Sequence, residues 1–362
     1  MNKKLISVGI IALMAGRMLA DEGSWADSLE IKGDLRLRHE MIDDDSKDDT
    51  RNRQRVRARI GAYADVNEAV SAGIRVASGS EDPVSTNQSF DDAFSSKGLQ
   101  LDKAYIDWHL MEALVLTGGK MGKPFVCVSD LIWDGDLNPE GLAAVFDLKG
   151  ETATLTVQGG YFWIDEISGG DDRMLYTGQL ALNMRASDGV SVLAGGSVYY
   201  YANMKDYPVV VDVEDSFGNT AAEGADGLVY VNEFEEVEGF IQLKTKAGEM
   251  PVKVYGQYVV NGDADDQDTG YLAGVGLGKA KDPGTFEVGY NFRSLEKDAV
   301  VGAFTDSDFS GGGTNGEGHK ISGKYAIAKN WTLGATYFMN QKDPDGSDVD
   351  YKRLQIDLAC KF

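Results

Sequence analysis

"RNRQRVRARIGAYADV", residues 51–66, decides the architecture. Arginine occupies positions 51, 53, 55, 57 and 59, and Val56, Ala58, Ile60, Ala62 and Ala64 take the alternate positions further along. Successive side chains of a strand point to opposite faces, so a period of two makes this a strand with one basic and one largely apolar face. Like charges along one strand face repel, and they desolvate badly in a dry core. A hydrated space with acids opposite removes both objections. Residues 29–41 repeat the pattern, with Leu29, Ile31, Leu35, Leu37 and Met41 against Glu30, Lys32, Asp34, Arg36, Arg38 and Glu40.

The same reading predicts further strands near 70–77, 99–109, 114–122, 142–149, 152–163, 174–185, 190–201, 235–245, 251–260, 271–279, 285–293, 319–327, 331–340 and 351–362. That makes sixteen, a regular spacing suited to an all-β chain. The connections alternate. Long ones fall at 42–50, 78–98, 123–141, 164–173, 202–234, 261–270, 294–318 and 341–350, and short ones near 65–69, 110–113, 149–151, 186–189, 246–250, 280–284 and 328–330. This is the layout of a transmembrane up-and-down antiparallel β-barrel, with short periplasmic turns and long external loops. A soluble sandwich, propeller or β-helix explains alternation within strands but not alternation of connections. Lipid covers the apolar face, and closure removes both sheet edges. The last strand agrees: Leu354, Ile356, Leu358, Cys360 and Phe362 share one face. Aromatic residues gather near strand ends, for example Tyr161 to Trp163, Tyr199 to Tyr201, Trp331 and Tyr351, as interfacial girdles do.

Composition narrows the function. The 362 residues carry a net charge of -23, which argues against a nucleic-acid partner. Residues 1–20 read as a secretory signal peptide cleaved after Ala20, leaving residues 21–362 as a single barrel domain. Loss of Lys3, Lys4 and Arg17 with it makes the remainder more acidic still. Cys127 and Cys360, far apart in an exported chain, read as two free thiols rather than a disulfide framework.

The stretches "DPVSTNQSF" (82–90), "LDKAYIDW" (101–108), "GGKMGKPF" (118–125), "SDLIWDGDLNPEGLA" (129–143) and "DFSGGGTNGEGH" (308–319) resemble a bacterial outer-membrane family labelled "putative porin". The resemblance extends over essentially the whole exported chain. It implies a likeness to sixteen-stranded general porins, in which a third external loop folds inward and narrows the barrel, a basic wall faces that loop, a terminal Phe aids assembly and three barrels associate. The outer membrane of a Gram-negative-type bacterium, its lipid, and small hydrophilic solutes and ions would then be the surroundings and partners. By count the third long loop is 123–141, with acids Asp130, Asp134, Asp136 and Glu140 and apolar anchors Phe125, Leu131, Ile132 and Trp133.

The basic wall is legible from the residues themselves. Opposite the lipid face lie Arg36, Arg38, Arg53, Arg55, Arg57, Arg59, Arg75, Lys103, Lys120, Lys320, Lys324, Arg353 and Lys361, on strands that closure makes neighbours. Within the opening stretch, Arg51 and Arg53 are expected at the mouth, and Arg55, Arg57 and Arg59 deeper, facing Asp130, Asp134 and Asp136. Two roles fit these cations: facing solute, or neutralising acids and bracing the loop. The leading functional expectation is a passive diffusion channel for small hydrophilic solutes. The alternative is a selective uptake channel, for an anion or a specific solute.

Other chemistry finds little support. His39 points to lipid by parity, His109 sits at a short turn and His319 opens a strand, so no sequence-local base and nucleophile appear and no enzyme is expected. "GVGLGK" (274–279) mimics a phosphate loop, but Ala280 follows where Ser or Thr is required, and the glycines alternate within a strand. No cofactor is expected. Asp263, Asp265, Asp266 and Asp268 are weak Ca²⁺ candidates, in a loop that lacks EF-hand spacing.

Overall fold

The computed structural model describes residues 25–362, so the signal-peptide expectation lies outside the described residues. After a 3₁₀ turn at Trp25–Ser28 come sixteen long strands: β1 (Glu30–Asp44), β2 (Arg51–Asn67), β3 (Val70–Ser78), β4 (Leu99–Met111), β5 (Leu114–Lys120), β6 (Glu140–Lys149), β7 (Ala153–Asp165), β8 (Arg173–Ser187), β9 (Val190–Ala202), β10 (Phe234–Ala247), β11 (Met250–Asn261), β12 (Thr269–Gly278), β13 (Phe286–Leu295), β14 (Gly316–Ala328), β15 (Trp331–Lys342) and β16 (Val349–Lys361). Each pairs antiparallel with the next, and β16 pairs with β1 from Asp34 opposite Lys361 to Asp44 opposite Tyr351. The seam ends on two backbone hydrogen bonds, Gly33 N to Phe362 O at 2.9 Å and Phe362 N to Gly33 O at 3.0 Å. The chain is thus a closed sixteen-stranded barrel.

Polarity is reversed relative to a soluble protein. Leu37, on the outer face, is 50% exposed, and Ile60, Ile106, Leu142, Leu180 and Ile241 are exposed beside it around the wall. Glu40, Gln158, Gln179, Glu238, Gln257 and Arg353 are buried inside. That alternation fits a wall with lipid outside and water within. No helix among the described residues is long and apolar enough to cross a membrane. An outer girdle of rings runs Trp163–Tyr161–Tyr176–Tyr200, with centroids 5.1, 5.3 and 6.1 Å apart. Tyr199, Tyr201 and Tyr351, expected in girdles, are instead buried on the opposite face, because their parity points them inward.

The external connections, L1 to L8, are 45–50, 79–98, 121–139, 166–172, 203–233, 262–268, 296–315 and 343–348. The turn at 279–285 is as long as L4 and L6, so the alternation in length is less strict than the sequence suggests. Strand pairing reaches further into the predicted loops: Asp43 and Asp44 still pair with Lys352 and Tyr351. At β4 the register shifts against β3, leaving Asp102 without a partner position beside the Arg75–Lys103 pair. This bulge changes the outward parity from Leu99 and Leu101 to Ile106 and Trp108.

The seam yields a test. A Cβ on Gly33 would fall 2.4 Å from Phe362 Cζ and 2.7 Å from the Arg59 carbonyl oxygen, whereas one on Gly323 would meet nothing within 4 Å. Gly33→Val is therefore expected to lower the thermal midpoint in detergent micelles by an overpacking cost of about 1–3 kcal/mol, while Gly323→Val leaves it nearly unchanged. Equal effects would show that the Phe362 contact is unimportant.

Candidate pore constriction

L3 enters the barrel and follows its inner wall. Gln179 of β8 clasps Val126, accepting from its N at 2.7 Å and donating to its O at 3.0 Å. Ser129 donates to Gln257 of β11. Trp133 packs on Phe125 and Tyr199 at centroid distances of 5.1 and 5.3 Å, and Leu131 and Ile132 are buried around it. Beyond that anchor the chain crosses to the far side. Asp136 accepts from Arg59 Nη1 at 3.1 Å and from Thr86 Oγ1 of L2 at 2.8 Å, and Asn138 donates to Asp102 at 2.8 Å.

The basic wall is a rail of ion pairs. Arg57 and Arg59 share Asp34 at 2.9 and 2.8 Å, and both reach Asp136, at 3.8 and 3.1 Å. Arg38 takes Asp357 at 2.7 Å and Asp308 of L7 at 3.1 Å. Arg353 bridges Glu40 and Asp308, each at 2.6 Å. Arg36 donates to Asn87 of L2 at 2.6 Å, and Arg75 donates to Asp102. Lys103 faces the lumen beside them, with its Nζ close to Gly122 of L3.

Several expected placements change. Arg55 does not meet L3: it lies 3.6 Å from Glu40 and 3.4 Å from Ser85 of L2. Arg53 is not a free mouth residue, since it pairs with the same Glu40 at 2.8 Å, and of the expected mouth pair only Arg51 is exposed. The three L3 acids disperse. Asp130 binds Lys320 of β14 at 2.6 Å, Asp134 turns to L7, and only Asp136 faces the rail. Glu140 is the first residue of β6 and shares the outward parity of Leu142, where it pairs with Lys120 at 2.7 Å. Both therefore leave the lumen. Asp263, Asp265, Asp266 and Asp268 form no metal-holding cluster, nor do any other His, Cys, Asp or Glu side chains among the described residues. His39 bonds Gln54 at 2.7 Å on the outer face.

The larger omission is L7. Val300, Val301, Ala303 and Phe309 are buried, and the loop locks onto L3 through Asp134 N to Phe304 O at 2.8 Å and Thr305 Oγ1 to Leu131 O at 2.7 Å. Its Ser307 donates to Val84 of L2 at 3.0 Å. The apolar run Ala299–Phe304 inside a polar loop was the available signal. L5 adds Met204, Val209 and Val210 to the same apolar layer. Two cavities flank this layer. An outer one of about 450 Å³ is rimmed by Arg53, Arg55, Asp82, Phe217, Asp308 and Arg353. An inner one of about 340 Å³ lies between L3 and the wall of β11–β14.

Asp134 sits where the loops join. It is 6% exposed, and its oxygens accept from Asp136 N at 2.7 Å and Ser307 N at 3.0 Å. Burial, and then the neighbouring Asp306 carboxylate, push it up to about 8. Burial likewise raises Asp306 despite Lys320. Asp136 behaves oppositely: burial works against its charge, but Arg57, Thr86 and Arg59 hold it below the usual carboxylate range. Asp134 thus favours its protonated form, as a buried carboxyl beside other carboxylates does.

A closed barrel, apolar outside and polar within, with loops folded into its lumen, is the architecture of outer-membrane channel proteins. The family model described as "Putative porin" matches residues 43–221 and 233–362, and the chain belongs to that family. Among solved structures, the high-pH structure of Pseudomonas putida OprB is 12% identical with a TM-score of 0.64, covering 92% of this chain and 94% of that one. Salmonella typhi OmpF in complex with daunomycin is 12% identical, TM-score 0.54, covering 92% and 97%. In-vitro folded OmpT of Vibrio cholerae, in its trimer form, is 13% identical, TM-score 0.53, covering 93% and 100%. These likenesses establish the fold. No curated protein matches in sequence.

Two outcomes follow from this geometry. Glu40 is 0% exposed and faces Arg53, Arg55 and Arg353. Glu40→Gln leaves the buried Arg353 and the half-buried Arg53 and Arg55 under-compensated and is expected to cost about 3–5 kcal/mol in urea unfolding followed by tryptophan fluorescence. Asp134 binds its proton more tightly folded than unfolded, so its contribution is fully present below the ordinary carboxylate pKa and is lost as pH rises through about 8. The thermal midpoint should therefore fall between pH 6 and pH 9, and Asp134→Asn should flatten that slope. An unchanged slope in the variant would assign the pH effect elsewhere.

Proposed function

We propose that this outer-membrane channel passes small hydrophilic solutes and ions by passive diffusion, through a barrel narrowed where the L3 carboxylate Asp136 meets an arginine wall. One observation carries the reading: Arg57 and Arg59, on β2, pair with Asp136 of L3 at 3.8 and 3.1 Å, which pins the loop inside the barrel. Held there, the loop narrows the lumen and leaves a polar, hydrated passage beside it. Polar solutes find hydrogen bonds in that passage, while apolar ones lose water without compensation. Nothing in the arrangement calls for bond chemistry. V. cholerae OmpT was solved in a trimer form, and we extend that assembly, with export by the N-terminal leader, to this chain. A second reading, preferential uptake of anions, draws on the inner cavity, where Lys320 is matched by Asp130 and Asp306 but Lys253 has no carboxylate partner among the described residues.

Purified protein in a planar bilayer is expected to open discrete steps in KCl. Across a tenfold salt gradient the reversal potential should lean weakly toward cations, consistent with the acidic chain. Arg57→Gln with Arg59→Gln releases Asp136 and should raise the step size and increase the cation preference. Strong anion selectivity favours the second reading, and absence of steps rules out both.

A further inference from the structure

The inner cavity holds groups that the rail of ion pairs does not use. Lys253 of β11 lies over the Tyr255 ring at 4.3 Å and makes no ion pair with any described residue. Asn291 of β13 is only 9% exposed, and its Oδ1 accepts no hydrogen bond, although its Nδ2 approaches the Tyr255 hydroxyl at 3.4 Å. Lys320 reaches across the same cavity to Asp130. Between β11 and β13 the inward face of β12 is cut back to glycine. A Cβ on Gly274 would fall 2.4 Å from the Tyr255 ring, and one on Gly276 would come 3.6 Å from Lys253 Cε. Gly274 of "GVGLGK" thus makes room for Tyr255 to lie along the wall, while at Gly276 a side chain's first carbon would only touch Lys253.

We propose that this cavity is a binding subsite for small hydroxylated monocarboxylates in transit, a proposal that rests on the channel reading. Lys320 is already shared between Asp130 and Asp306, at 2.6 and 3.2 Å, so the cation left over is Lys253 alone, and a single surplus charge selects a monoanion. Asn291 lines the cavity with its amide one hydrogen bond short, and a solute hydroxyl supplies that bond once the amide turns toward it. The Tyr255 hydroxyl offers a further hydrogen-bonding partner. A volume of about 340 Å³ suits a solute of sugar-acid size.

The test uses the full-length channel in a planar bilayer, with steps in KCl recorded first. Millimolar sodium gluconate should then interrupt the current, and glucose, which lacks the charge, or acetate, which lacks the hydroxyls, should do so about tenfold less effectively. Lys253→Gln should weaken the gluconate block about tenfold and Lys253→Arg should retain it, with both variants first checked for folding by heat-modifiable migration on gels. Steps in KCl without a gluconate block, or a block equal in Lys253→Gln, overturn the subsite while leaving the channel intact. A block by glucose as strong as that by gluconate overturns the choice of an anion. A protein that folds but never opens steps overturns the channel reading and this proposal with it.

Discussion

A strand that crosses hydrocarbon cannot leave a backbone donor or acceptor unpaired, and the sheet must close. Here closure is the pairing of β1 with β16, and the charge layout of the lumen follows from its register. Across the β1–β2 ladder Asp34 faces Arg59 and Glu40 faces Arg53, and across the β1–β16 ladder Arg38 faces Asp357. A shift of one residue would turn these side chains into lipid and the leucines inward. The ion pairs and the seam therefore specify each other: the charges are tolerable only in this register, and this register alone brings each acid to its arginine.

The match is incomplete within the wall. Arg36 stands opposite Arg57 and Arg38 opposite Arg55 on adjacent strands. Like charges directly opposite are destabilising. The surplus is offset from outside the sheet: L3 supplies Asp136, L7 supplies Asp308 and L2 supplies Asn87. Three loops that begin at the external rim thus have an electrostatic reason to fold inward onto the same sector. Their other faces are held by apolar burial around Trp133, Tyr201 and Phe304, whose rings stack at 6.2 and 6.4 Å. Buried pairs of this kind add little net stability compared with an apolar replacement, but losing one partner is costly. Their effect is to fix where the loops sit.

How much of this was legible from the sequence depends on periodicity. All sixteen strands were legible, because lipid forces an apolar residue at every second position and the lumen admits charge at the others. The ends of strands were less so. Near the mouth the outward residues become polar, as at Asn52 and Gln54, and the period fades before the pairing does. Parity also misleads at edges: Glu140 and Lys120 face outward although both carry charge. L3 stood out because its acids alternate with large apolar residues. Its path did not, since a loop has no period to say that Asp130 lands on β14 while Asp136 lands against β2. L7 carried a comparable signal in Ala299–Phe304, but glycine and acid on either side masked it.

The distinction between matched and unmatched charge bears on how such a pore would read a solute. On the rail the guanidiniums are nearly enclosed, with Arg353 3% and Arg53 20% exposed at the side chain, and each has a carboxylate or amide partner. A paired charge with short-range partners projects little field beyond them. The conspicuous arginines of β2 thus set the shape of the lumen more than its affinity. A group without a partner that is open to the lumen behaves differently, since an incoming solute can replace the water on it and gain a contact. The Lys253 ammonium lies on the wall of β11–β14, away from the arginines of β2, where the sequence shows scattered lysines, the buried Arg293 and a run of alternate glycines. In a barrel whose loops are fixed by its own ion pairs, recognition falls to the side chains that the pairing leaves over.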